Sequence, residues 1–343
     1  MASINDLGID IGTANVLISM KDRGIVLAEP AVVAVNRDTH SIVAYGEDAR
    51  RMMGRTPGNI LAIRPLMDGT MSDSELTGAM LSHFVEKVIG RRNIFSHPRV
   101  VMTVPTRVNE ADCRALSATL FDCGMRRTQL LRKTMAAAIG AGIGVESTYG
   151  SMVVDISAGV TDVAVISSGK IVVEECSPVC GDMFSTAITR YLRQKENLLI
   201  GEQTAELVKI NLGAAIPRAE SLYMDVSGRN LIAGLPKTVR VTSEDVYEAL
   251  EETVQMLIET IHGVLERSPA ELAADIFENG ITLTGGGALL FGLSDAVSAG
   301  LKLPVFVAED PQSTAVNGCA ITLENIGEMS RFLEDNRRHL LSI

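Results

Sequence analysis

Leu7 to Met20 reads LGIDIGTANVLISM: an apolar run, Asp10, a turn of small residues, and a second apolar run. Met152 to Ser167, MVVDISAGVTDVAVIS, follows the same plan around Asp155. Aliphatic and β-branched runs interrupted by Gly, Ser and Thr read as two strands joined by a tight turn. One such hairpin is ordinary in a large α/β chain. Two of them, with an aspartate at the same place in each, point to a duplication and hence to two related lobes, each opened by the same hairpin.

The chemistry of such a turn is specific. Backbone N–H groups in a turn of Gly, Ser and Thr wrap phosphate oxygens. A carboxylate at the strand end holds water on a magnesium ion carried by those phosphates. Two turns of this kind facing each other would clamp one nucleotide between the lobes. Ile281 to Leu290, ITLTGGGALL, reads as a strand, three glycines and then a helix. Successive glycines let backbone approach a flat ligand, and a helix N-terminus favours anions, so this segment supplies a third wall.

Flanking segments fit an α/β plan. Pro98 to Thr106 reads as a buried strand, Glu110 to Cys123 as a helix, and the Ala-rich stretch Thr134 to Ile143 as a helix suited to close packing. Thr242-Ser243-Glu244-Asp245 is an N-cap before an amphipathic helix running to about Glu266, and Ser-Pro-Ala-Glu restarts another.

Composition bounds the rest. At roughly 150 residues per domain, 343 residues make about two compact units. Hydrophobic residues at 46% and charged residues at 21% exclude a disordered chain. No apolar stretch reaches the roughly 18 residues of a spanning helix, so the apolar surplus belongs to cores, interfaces or a shallow membrane contact. With 31 basic against 42 acidic side chains the net charge is −11, which argues against a nucleic-acid partner. The opening MASIND lacks the basic and apolar regions of a signal peptide and predicts a cytoplasmic protein. Cys113, Cys123, Cys176, Cys180 and Cys319 form no CxxC pair and read as reduced packing residues. The five histidines show no metal-ligand spacing.

The three glycine-containing segments together resemble the ATPase superfamily of actin, heat-shock chaperones and sugar kinases. One branch is closer. GIDIGTAN (from Gly8), GIVLAEPAVVAV (from Gly24), MMGRTPGNILAIRPLMDG (from Met52), MAAAIGAG (from Met135), NLLIGEQTAE (from Asn197), ELAADI, LTGGGALL and VFVAEDP resemble the MreB family of bacterial actins, from about Leu7 to Ile326.

The resemblance implies an actin-like α/β fold of four subdomains around a central cleft, with ATP and Mg²⁺ at its base. Lobe I would take residues 1–150 plus about 322–343, with a subdomain at about 33–75. Lobe II would take 151–321, with a subdomain at about 183–245. It places Gly12, Thr13, Ala14 and Asn15 on phosphates, Asp10 and Asp155 on the water shell of Mg²⁺, and Ser157, Ala158, Gly159 and Thr161 in the second phosphate turn. Gly285, Gly286, Gly287 and Ala288 would lie along the adenosine, with Gly181, Asp182, Glu206 and Lys209 near ribose and base.

The departures from that family bear on chemistry. Where the family reads Glu-Glu-Pro before Met-Ala-Ala-Ala, this chain reads Leu131-Arg132-Lys133-Thr134-Met135. Lys133 therefore stands where the family's second glutamate positions the attacking water. A protonated lysine accepts no hydrogen bond and cannot do that work, though it can pair with a phosphate. Ser157-Ala158-Gly159-Val160 replaces a more Gly-rich turn, Ser185 stands where an acid is common, and Asn211 where a glutamate is common. ATP binding with slow or absent hydrolysis is the expectation.

As for partners, the resemblance implies filaments at the inner face of the cytoplasmic membrane that govern cell shape with membrane proteins of cell-wall elongation. The alternative is a nucleotide-locked subunit that caps or copolymerises with an active MreB. Arg91, Arg92, Ile94 and Phe95 lie at the family's membrane loop; the two apolar side chains either insert beside anionic headgroups or fold back into the core. In the tail, Met329, Phe332, Leu333, Leu340 and Leu341 form an apolar stripe, read as a helix packed on the first lobe or as a second membrane or partner contact.

Overall fold

A computed structural model describes residues 6–54, 58–90, 98–122 and 124–333. Arg91, Arg92, Ile94, Phe95 and Cys123, like the tail from residue 334 onward, lie outside the described residues. Residues up to Thr148, with Ile166–Ile171 and Gln312 onward, form one compact unit; Tyr149–Val165 and Val172–Pro311 form a second.

The first unit runs β1 (Leu7–Ile11), β2 (Asn15–Met20), β3 (Gly24–Pro30), β4 (Val33–Asn36), β5 (Ile42–Tyr45), α1 (Gly46–Met52), β6 (Ile60–Ile63), β7 (Leu66–Met67), β8 (Thr70–Met71), α2 (Ser74–Ile89), β9 (Arg99–Val104), α3 (Glu110–Asp122), β10 (Arg127–Arg132) and α4 (Lys133–Gly140). Its main sheet has the order β10-β9-β1-β2-β3. All five residues of β1 are buried, as expected of a central strand covered on both faces. Met80, Leu81 and Phe84 of α2 and Leu116 and Leu120 of α3 belong to the same core cluster as β1 and β9. Asp6, fully buried ahead of β1, accepts from Nε of Arg99 at 2.9 Å and from the Arg99 N–H at 3.1 Å, which ties the start of β1 to β9.

The second unit runs β11 (Ser151–Ile156), β12 (Thr161–Ser167), β13 (Lys170–Ser177), α5 (Gly181–Glu196), β14 (Leu198–Leu199), α6 (Glu202–Leu212), β15 (Tyr223–Asn230), β16 (Pro236–Thr242), α7 (Ser243–Arg267), α8 (Ala270–Asn279), β17 (Ile281–Thr284), α9 (Leu293–Leu301) and β18 (Val305–Val307). Its main sheet, β13-β12-β11-β17-β18, repeats the order of the first: a hairpin and a third strand on one side, two parallel strands on the other. The duplication read from the two hairpins is thus a duplication of whole sheets. α7 begins with a reciprocal cap, Thr242 accepting from the Asp245 N–H while the Asp245 carboxylate accepts from the Thr242 N–H.

The chain then returns to the first unit. α10 (Thr314–Glu324) crosses α4 so closely that a Cβ on Gly318 would lie 1.9 Å from the Ala136 carbonyl oxygen, and one on Gly140 1.8 Å from that of Thr314. α4 itself stops at Gly140, short of the expected Ile143, because Gly142 turns the chain at φ +75°. The apolar stripe of the tail is not carried by one helix. A single turn, α11 (Ile326–Met329), gives way to a 3₁₀ turn at Ser330–Phe332; Phe332 packs against Gly169, and Leu333 bridges Leu131 in antiparallel fashion. Among the described residues, no helix is long and apolar enough to cross a membrane.

Candidate functional site

In the first unit, β1 delivers Asp10 to the edge of the turn Gly12–Ala14, and the turn closes through Gly12 N–H donating to the Asn15 carbonyl at 3.0 Å. Asp10 is 7% exposed and accepts at 2.7 Å from the hydroxyl of Thr103, which itself accepts from the Ile11 N–H at 3.1 Å. β10 ends at Arg132 and hands directly to α4, so Lys133 enters as the first helical residue with its side chain buried. Its Nζ lies 4.0 Å from Oδ1 of Asp10 and 3.9 Å from where a Cβ on Gly12 would stand. Arg132 turns its guanidinium to the Thr106 carbonyl at 3.1 Å.

In the second unit, Asp155 occupies the equivalent place on β11 and is 2% exposed. Oδ1 accepts from the Thr284 hydroxyl at 3.0 Å and Oδ2 from that of Ser157 at 2.9 Å. The turn closes through Ser157 N–H to the Val160 carbonyl, and the Gly181 and Asp182 N–H groups donate to the carbonyls of Ser157 and Ala158. This locks the start of α5 against the turn. A Cβ on Gly181 would come within 3.3 Å of Ala158 and of the Ser157 oxygen. Thr161 is buried with its hydroxyl on the Val179 carbonyl at 2.6 Å, a packing contact. Lys209 bridges the Glu206 carboxylate at 2.7 Å and the Gly181 carbonyl at 3.0 Å, while Ser185 donates to the same carboxylate at 2.9 Å.

The glycine wall departs from its sequence reading. Gly286–Leu289 is a 3₁₀ turn, and the next α-helix starts only at Leu293, after Gly292 in the left-handed region. Gly285, at φ +78°, and Gly287 lie so close to Ile156 that a Cβ would fall 2.4 Å from its oxygen and 2.2 Å from its Cγ2, respectively. The segment therefore presents backbone beside the end of β11, without a helix N-terminus. Gly286 faces outward and Ala288 inward.

The structure thus gathers Asp10, Gly12, Thr13, Ala14, Asn15 and Lys133 in one unit. It gathers Asp155, Ser157, Ala158, Gly159, Thr161, Gly181, Asp182, Glu206, Lys209 and Gly285 to Ala288 in the other. Asn211 stays apart, its amide spent on the Leu207 carbonyl of its own helix. Sequence reasoning did not single out Thr103 and Thr284. Each sits on the parallel strand beside an aspartate, as a buried hydroxyl near the end of a largely apolar strand, and that buried hydroxyl is the signal that marks them.

Two sheets of one topology, each ending a central strand in a threonine-held aspartate above a small-residue turn, define an actin-like protein. A solved relative shows the same fold: the crystal structure of MreB 5 of Spiroplasma citri bound to AMPPNP superposes with a TM-score of 0.90 at 34% identity, over 95% of this chain and 97% of that one. The family model of the MreB/Mbl protein matches residues 4–331, and the chain belongs to that family. It is 45% identical to the cell shape-determining protein Mbl of Bacillus cereus, covering 95% of this chain and 98% of the relative. It is 44% identical to the cell shape-determining protein MreB of Escherichia coli, covering 94% of each.

Proposed function

We propose that this chain is an ATP-binding, filament-forming cell-shape protein that hydrolyses ATP slowly or not at all. The observation that carries nucleotide binding is the repeated device: Asp10 held by Thr103 and Asp155 held by Thr284, each buried at the end of a central strand beside a small-residue turn. A relative of the same fold is described as bound to AMPPNP, which supports the same ligand class here. Hard carboxylate and hydroxyl oxygens at Asp155 and Ser157 fit the water shell of a magnesium ion, which when bound would neutralise phosphate charge.

Slow hydrolysis follows from Lys133. A general base contributes roughly 10²–10⁴-fold to such a step, and an ammonium group offers no lone pair for water. Phosphate release from MgATP, measured for the native chain and for Lys133→Glu, tests this. A near-zero native rate raised by about two orders of magnitude in the variant is expected; a native rate that Lys133→Glu does not raise refutes the assignment.

Self-assembly is supported by apolar side chains the second unit leaves uncovered: Ile232 (81% exposed) and Leu235 on the β15–β16 connection, Phe277 on α8 and Phe306 on the edge strand β18. We place the filament at the inner membrane surface, through Arg91, Arg92, Ile94 and Phe95, and in the service of cell-wall synthesis. Liposome co-sedimentation that persists unchanged when Ile94 and Phe95 become Ser rejects the membrane contact. The buried lysine also favours a second reading, a nucleotide-locked subunit copolymerising with an active MreB. Electron microscopy with ATP, alone and mixed with such a partner, separates the two.

A further inference from the structure

We infer that the Lys133 ammonium serves as the built-in counter-cation of the nucleotide phosphates, so that ATP binding by this chain does not require a divalent ion. The inference rests on the ATP-binding reading above and assigns a charge role within that site.

An ATP molecule carries its negative charge to a place already holding a buried carboxylate, Asp10. In a site of ordinary design a hydrated divalent cation stands between the two anions and makes the encounter favourable. Here a positive charge is already covalently fixed there. Lys133 is 5% exposed, its Nζ is 4.0 Å from Oδ1 of Asp10, and it lies beside Gly12, at the base of the turn assigned to the phosphates.

Three features make this lysine a replacement rather than a bystander. It starts α4 immediately after β10, so strand and helix both fix its backbone. Burial leaves the stem few alternative rotamers, so little entropy remains to be lost when phosphate arrives. Its neighbour Arg132 does not share the task, because that guanidinium donates to the Thr106 carbonyl.

The placement also disfavours a metal ion at Asp10. A divalent cation whose water shell leaned on Asp10 would share that carboxylate with an ammonium 4.0 Å away, and like charges in a water-poor site repel. The second carboxylate, Asp155, keeps hydroxyl partners in Ser157 and Thr284 and remains suited to magnesium. The ion becomes an optional companion of the nucleotide.

The test is calorimetric titration of the full chain with ATP, once with magnesium chloride and once with EDTA and no divalent ion. The expected result is a Kd that changes by less than about tenfold between the two. In Lys133→Gln, binding should survive in magnesium and weaken by about a hundredfold or more in EDTA, with Lys133→Arg restoring it. A native chain that binds in magnesium and loses ATP in EDTA overturns the inference while leaving the ATP reading intact. A Lys133→Gln chain as indifferent to EDTA as the native one also overturns it. No binding in either buffer overturns both. The native comparison needs no variant to fold.

Discussion

Nζ of Lys133 stands 4.0 Å from Oδ1 of Asp10, and both side chains are buried. A carboxylate and an ammonium removed from water hold each other in place. Removing one exposes the desolvation cost of the other, about 3–5 kcal/mol for a tightly paired buried ion and less at this separation. Lys133→Met should therefore lower stability by roughly 1–3 kcal/mol, since Thr103 still donates to Asp10. Asp10→Asn in the same chain should recover part of that loss. Urea unfolding of the single and double variants measures the coupling, and additive effects would show that the two groups do not interact.

The α4–α10 crossing sets a second expectation. Gly318→Ala drives a methyl group to within 1.9 Å of the Ala136 oxygen, which is backbone and cannot rotate away. The helices must separate, at a cost of about 3 kcal/mol. Gly327→Ala, where a Cβ meets nothing within 4 Å, should stay within about 0.5 kcal/mol of the native chain in the same urea experiment.

Acid should act partly through Glu29. Burial alone would raise its carboxyl pKa, but hydrogen bonds from the Lys87 ammonium and the Glu47 N–H outweigh burial and hold it below its ordinary range. A carboxyl depressed in the folded state adds stability above its unfolded pKa of about 4.3, and that contribution is lost as pH falls through the lower folded value. Lys87 is more than half exposed, so the contribution is under about 1 kcal/mol. Glu29→Gln should be less stable than the native chain at pH 7, and the difference should shrink below pH 4 in urea titrations across that range.

Burial, reinforced by the nearby charge of Asp10, pushes the Cys319 thiol well above its ordinary pKa. A thiol held protonated and out of solvent does not alkylate. Iodoacetamide at pH 8 followed by peptide mass mapping should leave Cys319 unmodified in the folded chain, while the partly exposed Cys113 and Cys176 react. In urea all of them should react; labelling of Cys319 in the folded chain would mean that α10 opens.

The fold was legible where local pattern carries it. Asp10 and Asp155 sit between apolar runs that can only be buried strands, and the small residues between the runs demand a tight turn. The pairing of Asp10 with Thr103 and of Asp155 with Thr284 was not legible, because it depends on the register of parallel strands distant in sequence. ITLTGGGALL misled for a local reason. Glycine is a poor helix former, Gly285 and Gly292 both take positive φ, and so the chain makes a 3₁₀ turn before the helix can begin. Lys133 was legible as a change of charge, whereas its approach to Asp10 required the strand-to-helix junction at Arg132 to be seen.

The return of α10 to the first unit has a consequence for synthesis. Cys319 of α10 lies against the Ile9 carbonyl of β1, so β1 meets a helix made 310 residues later. The second unit's sheet and helices, from Tyr149 to Pro311, precede α10 on the ribosome. The strands β1–β3 therefore emerge well before the helix that covers β1, and the first unit cannot complete its packing until the residues of the second have been made. A nascent chain that stalls before Thr314 leaves β1 without the helix that covers it. Such a fragment exposes apolar strand surface, the signal by which chaperones and proteases select incomplete chains.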